Sequence, residues 1–563
     1  MNYIRRLGLG ALEFFAVLGG FTVLTAALTY PLAFNLGSVG YKLHVAGDPQ
    51  YSVWNVAWVA HALINDPVNV FNANIFFPHG RTLIYSEANL MAGALGAPVY
   101  WLTGNAYATH NFVVLVSFVL SAIGTYYLVR YLVNDRRAAV VGALCFAYCP
   151  YVFGHLPHIQ LLMTAGIPLS FLAFHRLADR PSPLRGAALG TAMGLQGLAC
   201  AYYAVFLVLV IGIAVFVTAA WRKTWADRRY WLAIAVAAVV AIAIVAPLFL
   251  PYVFLQRDTG FGRALEESRR WSANWLSYTT SAMYASSWLH AGRAGWTDVL
   301  FPGLLETIFG LVGIVAIRRT TGVRRYYVAL YTVIAGFALW QSFGPKAGLY
   351  TLTYYTVPAF TFLRAPSRFG ILVTFGLCIL ASITVVRLLE RFRRATLFAT
   401  ALIALGIVES AAPVPWTPNP PIAPVYHYLA DLPQAGLIEF PLYSKARNFM
   451  RTRYMVASTV HWKPLVNAYS DLTPAEFDTS QDLLASFPSN EAFARMPEGV
   501  RYAIFHVEEY RKNNVLAELE GRLTAFGPHL KRLYADDHTW LYEIDAVSAA
   551  RLRRSPSTKT AGR

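Results

Sequence analysis

Long apolar runs separated by short basic loops constrain this chain more than any other feature. Segments 8–30, 107–132, 231–252 and 370–388 approach or exceed the ~20 residues that a helix needs to cross a hydrocarbon core. Between the runs stand NDRR, HRLADRPSPLR, WRKTWADRR, RRTTGVRR and ERFRR. Arginine and lysine gather on the cytoplasmic side of membrane helices, so these loops set an orientation. The pattern predicts an α-helical polytopic membrane protein of about eleven spans. Its N-terminus lies in the cytoplasm and its C-terminus outside. Only 14% of residues are charged, against roughly 25% in a soluble domain.

The formal net charge of +17 falls mostly in those loops. It reads as topology, and nucleic acid is excluded as a partner. Cys145, Cys149, Cys200 and Cys378 all lie in apolar stretches. They read as small core residues, with no disulfide and no zinc site. The first apolar run is longer than the ~7–15 residues of a signal-peptide core, so it reads as an uncleaved first helix.

The remaining helices are expected at 138–153, 160–176, 300–317 and 395–411, with two more sharing 186–220 and turning near CAYY. One further helix lies between RRTTGVRR and the outer loop 344–369. A single long helix in 186–220 would invert everything after it. Domain 1–411 is thus a membrane domain with a large first external loop, 31–106. Inside that loop, ANLMAGALGAPVYWLT is apolar but short and broken by Gly and Pro. It reads as a re-entrant or interfacial segment.

After the Pro-rich PVPWTPNPPIAP the composition turns ordinary. Residues 412–550 read as a small extracytoplasmic α/β domain. AGLIEFPL, RYAIFHV and LKRLYADDHTWLYEI read as strands, the last as a hairpin around Asp536 and Asp537. PAEFDTSQDLLASF and EEYRKNNVLAELEGRL read as amphipathic helices. The basic tail 551–563 is expected to be disordered.

Several polar residues stand on the predicted outer side. Asp48, in GDPQ, follows the first helix. It reads either as the cap of a helix starting at Pro49 or as a carboxylate that accepts a proton or holds a divalent cation. Ser or Asn would cap equally well, so the cap alone does not account for an acid. Trp54, Trp58 and His61 recur at three- and four-residue spacing. That stripe reads as an aromatic anchor on a helix lying at the interface, rather than a ligand box. FFPHGRTLIYSEANL carries His79, Arg81 and Glu87, a solvated scatter or a folded loop in which Arg81 holds a phosphate.

His155 and His158 stand i, i+3 at the end of the third helix. They fit a shared cation or plain hydrogen bonding at the interface. Arg364 and Arg368 lie on a short outer loop, where the orientation rule disfavours arginine. A lipid phosphate explains them, whether from an ordinary headgroup or a substrate. In 253–298, Arg257, Asp258, Glu266, Glu267, Arg269 and Arg270 fit a lid or a solvated helix.

Together GDPQYSVWNVAWVAHAL, NIFFPHGRTLIYSEANL, YCPYVFGHLPHIQLL and FLRAPSRFG resemble a bacterial branch of the GT-C superfamily. These are integral membrane glycosyltransferases that use polyprenyl-phosphate-linked sugars. STVHWKPLVNAYSDLTP resembles the extracytoplasmic domain of that branch. The resemblance implies a GT-C-like fold in a bacterial inner membrane. It implies inverting transfer of a hexosyl or pentosyl group from a polyprenyl-phosphate-sugar to a glycan, lipid or protein acceptor on the outer face. It implies Asp48 as catalytic base or metal partner, and Arg81, Arg364 and Arg368 as donor-phosphate ligands. A divalent cation, Mg or Mn, is the one cofactor it brings. The second acidic motif of the family is replaced by GHLPHIQ, so Glu87 stands in as second carboxylate and His155 and His158 as metal ligands. A lipid-linked sugar transporter or flippase is the first competing reading, and a non-catalytic envelope-assembly protein the second. Glu306 and Glu409 lie near helix ends rather than mid-membrane, and no internal repeat is visible, which weighs against transport.

Overall fold

In a computed structural model, residues 2–289 and 297–545 are described, without the side chains of 2–9. The tail 551–563 lies outside the described residues. Seven helices are long and apolar enough to cross a membrane: Gly10–Leu28, Ala106–Val133, Arg136–Gly154, Ile159–Asp179, Ala201–Arg222, Arg228–Thr259 and Pro366–Arg391. The first five α-helices are α1 (Asn2–Leu28), α2 (Asp48–Asn65), α3 (Leu90–Thr103), α4 (Ala106–Val133) and α5 (Arg136–Ala147). Apolar helices Pro183–Ala199, Leu304–Val315, Gly322–Ser342 and Ala395–Glu409 complete the series.

The chain divides into two compact units. Unit 1 comprises residues 1–35 and 111–416, and unit 2 comprises 36–110 and 417–563. Residues 36–106 of the expected first external loop therefore group with the C-terminal segment rather than with the membrane helices.

Unit 1 is helix on helix. The run 186–220 breaks at Cys200, whose extended backbone (φ −155°, ψ 115°) ends Pro183–Ala199 before Ala201–Arg222 begins. Two helices, not one, fill that run. Pro183–Ala199 then lies against Arg228–Thr259 along Gly186, Gly190, Gly194 and Gly197. A Cβ on Gly186 would stand 2.2 Å from the Ala233 carbonyl oxygen, and one on Gly190 2.4 Å from that of Ala237. Small residues allow helix backbones to approach this closely inside a membrane. Cys149, Cys200 and Cys378 are buried and Cys145 is half-buried, in keeping with small core residues.

Unit 2 carries a four-stranded sheet in the order Gly436–Phe440, Val500–His506, Thr539–Ile544, Leu530–Ala535. The first pair is parallel and the other two are antiparallel. The expected hairpin is present. Asp536 shapes its turn by accepting from the backbone N–H groups of His538 (2.8 Å) and Thr539 (2.6 Å). EEYRKNNVLAELEGRL is two helices, Val507–Lys512 and Leu516–Ala525, not one. Asn514 adopts φ 57° between them, a conformation that stops a helix and that Asn tolerates.

The stripe Trp54, Trp58 and His61 is not a membrane anchor. Trp54 is fully buried, and its indole N–H donates to Asn74 Oδ1 at 3.0 Å. Trp58 donates to the Val70 carbonyl at 2.8 Å. His61 stacks on Trp462, with ring centroids 4.5 Å apart. Helix α2 is the core helix of unit 2, and its aromatic face meets protein instead of lipid. Segment 90–103 is one helix containing Pro98, without the reversal of a re-entrant loop, and it packs on α2. A Cβ on Gly93 would stand 2.3 Å from Val59, so glycine is what permits that packing.

Candidate functional site

In unit 2, α2 starts one residue earlier than the sequence suggests. Gly47 takes the N-cap place with φ 126°, a backbone region that favours glycine, and Asp48 is the first helical residue. Asp48 is therefore a first-turn acid rather than the cap itself. The exposed amides of the helix end favour its negative charge. The Gly47 N–H donates to Thr452 Oγ1 (2.8 Å), and the Thr452 hydroxyl donates to Gln50 Oε1 (3.0 Å). This ties the start of α2 to the C-terminal segment of the same unit.

From that segment the Tyr469 hydroxyl donates to Asp48 Oδ1 at 3.3 Å. Asp48 itself is partly exposed. Tyr51, one turn along α2, lies edge-on to Tyr469, with centroids 5.9 Å apart. Burial pushes the Tyr51 phenol up to about 12, while hydrogen bonds with Ser86, Asn55 and Ser470 pull the other way. Tyr51 is thus a proton-bearing hydroxyl at neutral pH. The Ser86 hydroxyl donates to Asp471 Oδ2 at 3.4 Å. Asp48, Tyr51, Ser86, Tyr469 and Asp471 form one linked polar patch beside Glu87, whose carbonyl accepts from Asn55 at 3.2 Å. Arg81 is exposed, with a left-handed backbone (φ 55°) held by its N–H to Asn72 Oδ1 at 2.8 Å.

In unit 1 a second polar cluster gathers around Asp298, a residue the sequence reading passed over. The His155 Nε2 lies 3.2 Å from Asp298 Oδ1, and the His155 Nδ1 donates to the Tyr151 carbonyl at 2.7 Å. Burial raises the Asp298 carboxyl, but the charge and hydrogen bond of His155, the Ser367 hydroxyl and the charge of Arg368 outweigh it. The net result is about 2. Arg368 lies over the Tyr202 ring, 4.1 Å from its centroid, and Arg364 over Trp271 at 5.7 Å. The Arg364 backbone N–H donates to the Tyr202 hydroxyl at 3.1 Å. Planar guanidinium groups gain from aromatic faces, which hold the two arginines in place.

The expected lid is folded structure. Its charged part forms Leu265–Arg270, with Arg263 to Glu267 at 2.8 Å and Arg269 to Glu266 at 3.1 Å. Its backbone meets the 344–369 loop, where the Ser367 N–H donates to the Trp271 carbonyl at 3.2 Å. The same loop carries Arg364, which lies over Trp271, and Ser367, whose side chain hydrogen-bonds Asp298.

The expected cation on His155 and His158 finds one ring nitrogen turned to a carboxylate: with its Nδ1–H on the Tyr151 carbonyl, His155 directs Nε2 at Asp298. His158 precedes Ile159–Leu162, and its backbone N–H donates to the His155 carbonyl at 2.9 Å. Among the described residues, no group of three or more His, Cys, Asp or Glu is arranged to hold a metal.

Glu306 and Glu409 are indeed terminal. Glu409 ends its helix and accepts from the N–H groups of Leu304 and Leu305, and Glu306 lies in the first turn of Leu304–Val315. Glu409 thereby satisfies orphan amides of a neighbouring helix start.

The reading from sequence named Asp48, Glu87, Arg81, His155, His158, Arg364 and Arg368, and the structure adds Asp298, Tyr469, Asp471, Trp271 and Tyr202 around them. Tyr469 and Asp471 were visible in NAYSDLTP. Asp298 sits alone in GWTDVLF and carried no signal.

Residues 20–410 match the model of a family described as a domain of unknown function (DUF6311). No curated protein matches the chain in sequence. Among solved structures, the arabinofuranosyltransferase AftD from Mycobacteria is similar at 17% identity and a TM-score of 0.55, over 94% of this chain and 41% of that one. The oligosaccharyltransferase AglB from Archaeoglobus fulgidus, in complex with an inhibitory peptide and a dolichol-phosphate, is 14% identical over 97% and 75% at 0.45. ArnT from Cupriavidus metallidurans bound to undecaprenyl phosphate is 12% identical over 95% and 98% at 0.41. The likeness to AftD shows a GT-C fold.

Proposed function

The chain belongs to the DUF6311 family, and from that premise we propose that it is a membrane glycosyltransferase working on its extracytoplasmic side. The donor is a polyprenyl-phosphate-linked sugar, and the acceptor is a hydroxyl of a glycan, lipid or protein. The observation that carries this reading is Asp48. It is fixed at a helix start by Gly47, met by the Tyr469 phenol and partly exposed, within a GT-C fold.

Asp48 takes the proton from the acceptor hydroxyl as that oxygen attacks the anomeric carbon. The bond between the anomeric carbon and the phosphate oxygen breaks, and lipid phosphate leaves. A single displacement of this kind inverts the anomeric centre. Arg364 and Arg368 take the donor phosphate and stabilise the charge that develops on it. Arg81, exposed in unit 2, is the third arginine proposed for the donor phosphate. Glu87 and Asp471 are the carboxylates beside Asp48, and either serves as the second acid. A divalent cation has no assigned step. The chain is inserted with its N-terminus in the cytoplasm.

The test is turnover of a labelled polyprenyl-phosphate-sugar by purified protein, with and without a divalent cation. An Asp48→Asn variant that inserts normally and transfers sugar at the wild-type rate refutes the role of Asp48. Unchanged donor affinity in Arg364→Ala/Arg368→Ala refutes the role of the arginines.

A further inference from the structure

Unit 1 carries a groove that the proposed reaction does not use. It holds about 570 Å³ and runs between α1, α4, α5 and the helix Ala395–Glu409. Its walls are apolar, among them Leu12, Ala16, Gly20, Val140, Ile403 and Ile407. At one end lies a charged cluster. Arg136 donates to Glu13 Oε2 through Nη2 (2.6 Å) and Nε (3.1 Å), and the Tyr126 hydroxyl donates to Glu13 Oε1 at 2.7 Å. Arg130 stands 3.5 Å from the same carboxylate. Two arginines against one glutamate leave the cluster with one net positive charge.

The dimensions select the occupant. From Leu12 to Leu24 the groove follows α1 for about 18 Å, at ~1.5 Å per residue. That is a little over half of a ~30 Å hydrocarbon core, or about one leaflet. The groove walls are apolar along that length and cationic at one end, which suits an amphiphile with an acyl chain rather than a uniformly apolar partner helix. The charged end then falls where a headgroup sits, and the Arg136 side chain is 62% exposed there, while Glu13 is only 17% exposed. The exposed partner of the pair is the cation. Its remaining guanidinium N–H groups suit a phosphate.

We infer that the groove holds one acyl chain of an anionic phospholipid from the leaflet in which α1 begins, with the lipid phosphate on Arg136. The site is separate from the groups assigned to sugar transfer, and it stands or falls independently of them.

The test uses full-length protein in phosphatidylcholine nanodiscs doped with a phospholipid bearing a diazirine in its acyl chain. Phosphatidylglycerol and phosphatidylcholine probes are compared, and adducts are mapped by mass spectrometry. The expected result is phosphatidylglycerol adducts concentrated on peptides containing residues 12–24 and 403–407. Arg136→Gln should bring that labelling down to the phosphatidylcholine level. Gly20→Leu fills the groove, because a Cβ there meets nothing within 4 Å, and should cut labelling at least fivefold with helicity unchanged. If Gly20→Leu does not fold, Ala16→Leu makes the same test. Equal labelling by both probes overturns the inference, as does wild-type labelling in a groove-filling variant. Cross-links between two copies in place of lipid adducts would show instead that the groove is a protein interface.

Discussion

Asp298 in unit 1 and Asp48 in unit 2 are both aspartates beside apolar helices, in opposite surroundings. The Asp298 side chain is only 11% exposed and is answered by His155, Ser367 and Arg368, which hold its carboxyl near 2. So weak a base is a poor proton acceptor, and its negative charge serves to orient Arg368. Asp48 is partly exposed, sits in the first turn of α2 and has the Tyr469 phenol beside it. Under the proposed function the two acids divide the labour: Asp298 steadies Arg368, and Asp48 is the proton acceptor.

The largest test of that division is at Asp48. Asp48→Asn should lower kcat by about 10²–10⁴-fold, the usual contribution of general acid–base catalysis, with a normal melting temperature. Next come the stacked arginines. Arg364→Ala or Arg368→Ala should raise donor KM by roughly 10–150-fold, as about 1.5–3 kcal/mol is lost per charged contact. A rise with Arg368→Ala alone would assign the phosphate to one guanidinium.

Asp298 should instead register as stability. Its folded carboxyl lies at about 2 against the usual 3.8, worth about 2 kcal/mol. Because the folded value is depressed, that stability is present above pH ~4 and is lost as pH falls through ~2. Melting curves of wild type and Asp298→Asn should therefore differ at pH 6 and converge near pH 2. A pH-independent gap would show that the carboxylate charge is not the cause. The smallest effect is expected at Tyr469→Phe. Losing one hydrogen bond of about 1 kcal/mol should slow transfer about fivefold and shift the acidic limb of the pH–rate profile. An unshifted limb would remove Tyr469 from the neighbourhood of the base.

Much of unit 1 was legible in its hydropathy. Helices stand where the apolar runs are, and Cys200 breaks 186–220 where CAYY suggested. Arg364 and Arg368 were legible because their charge opposes the orientation rule. Asp298 was not, because a lone acid in a loop acquires meaning only from what packs against it. The stripe of Trp54, Trp58 and His61 failed for a related reason. Helical spacing shows that one face is apolar, but a protein core and a lipid surface reward the same spacing. Trp462, far along the chain, and Asn74, 20 residues beyond Trp54, decided which one it was.

The sequence by itself determined the membrane class and the order of the helices, because hydrocarbon accepts only long apolar helices. Tertiary structure alone decided that residues 36–110 join 417–563 in one unit, that Tyr469 meets Asp48, and that His155 meets Asp298. These facts depend on contacts between residues more than 100 positions apart, and no local pattern encodes them.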